Sequence, residues 1–106
     1  MDEKSCQETY GGARMSYRWI ITKDHIDDGN AVGTEGPGNC DPDLKSNPQR
    51  FSLYDDDKIC YAEGMLYSTD EIYNEEHLRA LLGPLDDFGL PNWGCVLIKV
   101  DGEWIN

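Results

Sequence analysis

The residues of this chain whose types and spacing could do chemistry are few. His25 stands among Asp24, Asp27 and Asp28. An imidazole among carboxylates is the raw material of a metal site. A solvated acidic loop is the commoner use of such a stretch, and no metal is assigned to it. Asp55, Asp56 and Asp57 form an unbroken run. A calcium loop of the EF-hand type needs alternating ligands, a glycine at the sixth position and a closing bidentate glutamate. Nothing after Asp55 supplies that spacing. His77 follows Glu76 directly, but adjacent helical residues point in different directions, so they do not read as an acid–base pair. The cysteines, Cys6, Cys40, Cys60 and Cys95, lie far apart, without the two-residue spacing of a zinc knuckle or a redox motif. Cys60 and Cys95 sit within apolar runs and read as small core residues. Neither histidine has a recognisable nucleophile context, and no glycine-rich phosphate cradle is present. The expectation is a protein that is not an enzyme and carries no cofactor.

The elements that position these residues follow from periodicity. Phe51 to Gly64, FSLYDDDKICYAEG, is the organising stretch. Phe51, Leu53, Ile59 and Tyr61 alternate with Ser52, Tyr54, Cys60 and Ala62, which predicts a β-hairpin with the three aspartates at a solvated tip. Tyr17, Trp19 and Ile21 alternate with Arg18, Ile20 and Thr22 and predict a first strand, with Trp19 in the core. Residues 1–14 show no periodicity and read as a flexible N-terminal extension. Residues 15–106 read as a single domain containing a long irregular loop over 23–49. That loop has turn signals at Asp28-Gly29, Gly36-Pro37 and Asn47-Pro48, and one helical turn is expected over Asp43 to Ser46.

Ser68 with Glu71 matches a capping box, and Asp70 adds charge to the first helical turn. Ile72, Tyr73, Leu78, Ala80, Leu81 and Leu82 make a rough apolar stripe, which Gly83-Pro84 is expected to end. Glu71, Glu75 and Glu76 then project outward as an acidic face. Leu85 to Gly94, LDDFGLPNWG, reads as a tightly specified loop whose Phe88 and Trp93 fold back on the core and offer a second contact surface. Finally, Asp101-Gly102 joins two strand-like runs in a type I′ hairpin, with Trp104 covering one sheet face. The predicted fold is α+β: a small antiparallel sheet of about four to five strands with one helix packed on it.

Charge limits the function classes. Twenty-one Asp and Glu against nine Lys and Arg give a formal charge of -12 over 106 residues. Such a surface disfavours direct binding to nucleic acid or an anionic membrane and favours a basic partner. With no leader pattern and no long apolar run, a reducing cytoplasm is the expected location.

Three stretches, WIITKDHI at Trp19–Ile26, FSLYDDD at Phe51–Asp57 and LDDFGLPNWG at Leu85–Gly94, resemble those of a group of short uncharacterised bacterial and mobile-element proteins. The likeness covers most of residues 15–106 and implies no catalytic or binding residue. In size and charge alone the chain also resembles phage-encoded anti-CRISPR and other DNA-mimic inhibitors. The expected function is that of an acidic interaction protein occupying a basic surface of a nucleic-acid-binding protein or nucleoprotein complex. The candidate contact residues are Asp55, Asp56, Asp57, Asp70, Glu71, Glu75 and Glu76, with Phe88 and Trp93. The alternatives are a binding module anchored on 85–94, or a metal-binding protein using His25.

Overall fold

Strand β1 (Tyr17–Asp24) puts Tyr17, Trp19 and Ile21 on one face, where all three are buried. The alternation predicted for it is therefore observed. The structure, a computed structural model, describes residues 16–69 and 74–106, without the side chains of 74–76. The expected extension over 1–14 and the capping residues Asp70 and Glu71 lie outside the described residues. Among the described residues six strands form one antiparallel sheet, rather than four or five. In spatial order they are β2 (Glu35–Gly36), β1, β4 (Cys60–Ser68), β3 (Gln49–Tyr54), β5 (Leu97–Val100) and β6 (Glu103–Trp104).

The strand not anticipated, β2, lies inside the long loop and pairs its Gly36 with Trp19. The rest of that loop is also put to structural use. Arg18, on the sheet face away from the core, donates to Glu35 at 2.8 Å and to the Leu44 carbonyl at 3.2 Å, and lies over the Tyr67 ring. Residues 42–43 form a turn, and the expected helical turn over Asp43 to Ser46 is absent.

The central hairpin forms, but its second strand has the opposite phase to the predicted one. Ala62, Gly64, Leu66 and Ser68 face the core, whereas Ile59 is 56% exposed. The cause is a bulge: Leu53 pairs with Ala62 but Tyr54 pairs with Cys60, leaving Tyr61 as an extra residue. A second irregularity, between Ile21 and Lys23, lies on the other side of β4.

Helix α1 (Asn74–Pro84) covers the core face through its small residues. Ala80 is buried, and a Cβ at Gly83 would run into the Tyr17 ring. Docking through Ala80 and Gly83 turns Leu78 outward, 49% exposed, so Leu78 leaves the expected apolar stripe. Gly83 marks close packing here, not a helix end. The chain stays helical through a π turn (Leu85–Gly89) and a last α-helical turn, α2 (Leu90–Trp93). This corrects the loop expected over 85–94. Pro84 and Pro91 each remove a backbone donor, and between them the Leu90 N–H reaches back to the Leu85 carbonyl in the wider spacing of a π turn. Left-handed Gly94 ends the segment. No helix among the described residues is long and apolar enough to cross a membrane.

Candidate functional site

Two acid-bearing stretches leave the same end of the sheet. Strand β1 ends at Asp24, which pairs with Ala62 near the start of β4, so the segment after Asp24 and the tip of the β3–β4 hairpin are neighbours. Within each stretch one aspartate builds the loop. Asp24 accepts the N–H groups of Ile26, Asp27 and Ala31 at 2.9, 2.8 and 2.9 Å. Burial raises its pKa, but those N–H groups and His25 outweigh it and hold the carboxylate below its ordinary range. Asp55 accepts the N–H groups of Asp57 and Ile59, both at 2.9 Å. The Ile59 N–H foremost, helped by the Tyr61 hydroxyl, holds Asp55 below its ordinary range against its partial burial. Their neighbours Asp27, Asp28, Asp56 and Asp57 are exposed. The end of the sheet thus has two carboxylates turned inward as staples and four turned to solvent.

The two irregularities beside β4 bring a second group together. Tyr54 faces away from the core, and Cys60, its partner across the bulge, shares that face with Glu63. In an unbulged strand, residues three apart would point to opposite faces. His25 follows β1, donates its backbone N–H to the Tyr61 carbonyl at 2.9 Å and places Nε2 2.8 Å from Glu63 Oε2. The ligand-capable atoms of His25, Cys60 and Glu63 all lie within 4.8 Å of one another. Burial, with Glu63 adding to it, pushes the Cys60 thiol up. Cys60 is therefore half-buried on the outer face, not a core residue, whereas Cys95 is fully buried and its pKa is pushed up to about 11 by that burial.

A third arrangement holds the π turn. Asp87 Oδ2 accepts the Tyr17 hydroxyl at 2.8 Å and Trp19 Nε1–H at 3.0 Å. Burial first, and Asp87 second, raise the Tyr17 pKa well above the usual phenol range.

No protein-family model, curated protein or solved structure matches this chain. Function rests on the geometry itself.

Of the expected contact residues, Asp55, Asp56 and Asp57 form the tip, and their carboxylates lie within 4.8 Å of one another. Asp70 and Glu71 lie outside the described residues, as do the side chains of Glu75 and Glu76 on α1. Thr69 lies at the far end of β4 from the tip, a strand length of roughly 26 Å. The tip's described acidic companions are instead Asp27 and Asp28, which periodicity did not single out. Phe88 and Trp93 fold back on the core as expected: Phe88 meets Trp19 at 5.6 Å and Trp93 at 4.9 Å, and Trp93 meets Tyr61 at 6.4 Å. His25 with Asp24, Asp27 and Asp28 does not assemble as a ligand set, because Asp24 is occupied by backbone N–H groups and His25 turns to Glu63.

On the outer sheet face, Trp104 pairs with Lys99 across the last hairpin and meets Tyr54 at 4.8 Å, edge to face. The ammonium groups of Lys99 and Lys58 lie 4.6 and 5.4 Å from the Trp104 ring centre.

Proposed function

We propose that the chain is a non-catalytic interaction protein that sets the acidic end of its sheet against a cationic surface of a nucleic-acid-binding partner. The observation that carries this reading is the shared position of the two aspartate loops, which offers Asp27, Asp28, Asp56 and Asp57 to solvent from one end of a rigid sheet. Neighbouring strands are about 5 Å apart, so these loops present carboxylates over the span of a few phosphates. A surface of this sign is drawn to rows of Lys and Arg, and steering raises its association rate. Inhibition by occupying a nucleic-acid site, as anti-CRISPR and other DNA-mimic proteins do, is the form of action this supports. The free thiols of Cys40, Cys60 and Cys95 suit a reducing compartment, and cytoplasm is the proposed location.

Asp56→Lys with Asp57→Lys tests the reading without removing the Asp55 staple. A partner captured by the unaltered chain should be lost by this variant, while melting temperature changes little. Retention of the same partner with undiminished affinity would refute it.

The exposed Trp104, 40% accessible beside Tyr54, supports a second reading in which apolar contact is made through the outer sheet face. Trp104→Ala separates the two, since it would abolish binding through that face and spare binding through the aspartates.

A further inference from the structure

We propose that His25, Cys60 and Glu63 form a site for one transition-metal ion of the zinc class. The three donors come from two neighbouring segments, with Cys60 and Glu63 brought to one face by the bulge at Tyr61, and they place an imidazole nitrogen, a thiol sulfur and a carboxylate oxygen within 4.8 Å of one another. Zinc–nitrogen and zinc–oxygen bonds of about 2.0–2.2 Å and zinc–sulfur bonds of about 2.3 Å require donor separations between 3 and 4 Å in roughly tetrahedral geometry. His25 and Glu63, at 2.8 Å, need to part slightly to reach that range, and Cys60 already lies within 4.8 Å of both. His25 and Glu63 are exposed enough to make this adjustment, with side chains 42% and 41% accessible.

An ion pair between His25 and Glu63 would explain two of the three residues and leave Cys60 unused. The thiol's own contact is a weak one to the Ala62 carbonyl at 3.6 Å. Nitrogen, sulfur and carboxylate donors together suit zinc or another late first-row ion and are a poor match for calcium or magnesium, which take oxygen ligands. Lys99, the cation whose field reaches Cys60, is held over the Trp104 and Tyr54 rings. Three protein ligands leave a fourth position for water or for a side chain of a partner. The rival cluster Asp55–Asp56–Asp57 is weaker, because Asp55 is committed to backbone N–H groups. This inference is independent of the acidic end acting as a partner surface.

Cobalt(II) is the probe. The freshly reduced full chain, titrated with Co²⁺, should develop thiolate-to-cobalt charge-transfer absorption that saturates at one ion per chain. Zinc should then displace the cobalt, as expected from their relative affinities. Cys60→Ser should abolish the charge-transfer band, and His25→Asn or Glu63→Gln should each weaken binding roughly tenfold or more, whereas Cys40→Ser should leave the spectrum intact. Absence of the band from the unaltered chain, or a band that survives Cys60→Ser, would overturn the proposal. Should Cys60→Ser fail to fold, the exposed positions His25 and Glu63 decide it: unchanged cobalt affinity in both variants would refute the site.

Discussion

Aspartates of the same charge do different work here. Asp24 and Asp55 spend their oxygens on backbone N–H groups, while Asp56 and Asp57 beside them remain on the surface. Substituting Asp55 would therefore loosen the hairpin tip along with any contact it makes, which makes Asp56 and Asp57 the cleaner positions for testing binding. Asp87 is the third kind, an acceptor for two side-chain donors from β1. Asp87→Ala should lower stability by about 1–3 kcal/mol, since it strands the Tyr17 hydroxyl and the Trp19 indole N–H. Denaturant unfolding checks this, and an unchanged midpoint would contradict it. Tyr17 also sets an alkaline limit. Its folded-state pKa is raised above the unfolded value of about 10. Its contribution is complete below that pH and declines above it, because only the unfolded state then loses the phenolic proton. Stability measured against pH should fall above about pH 10, and more gently in Tyr17→Phe; matching slopes would show that Tyr17 is not responsible.

At the scale of elements, glycines that resemble breakers are points of close approach. A Cβ at Gly64 would run into the Ile20 carbonyl and the Phe51 ring. Gly64→Ala should destabilise the fold by about 1–3 kcal/mol, read as a lower denaturant midpoint; full stability would mean that β4 packs less tightly than described. Strand β1 and the last hairpin were legible in the sequence. Alternation marked the first, and Asp101-Gly102 announced a type I′ turn, where both residues have positive φ of 52° and 83°. The phase of β4 was not legible, because the Tyr61 bulge shifts a period-two count by one residue without changing composition. Likewise the helix past Pro84 was hidden, since Gly83-Pro84 and Pro91 carry turn signals and the wider π turn that accommodates them has no periodic signature. The convergence of His25, Cys60 and Glu63 depends on the same irregular pairing and was invisible for the same reason.

Across the whole molecule, acid outnumbers base. The formal charge of -12 hides a cationic and aromatic patch of Lys58, Lys99, Tyr54 and Trp104 on the outer sheet face, while aspartates close one end of the sheet. Contact through the aspartates should weaken steeply with salt, since exposed charges are screened within about 8–10 Å at physiological ionic strength. Contact through Trp104 should hardly respond. The deciding experiment is capture of partners from a bacterial lysate on the immobilised chain, with elution by a salt gradient in the presence and absence of duplex DNA. The acidic-end account predicts a basic nucleic-acid-binding protein that moderate salt releases, that DNA competes away, and that a column bearing Asp56→Lys with Asp57→Lys fails to retain. A partner that stays bound through the gradient, ignores DNA and binds the variant equally well would contradict it.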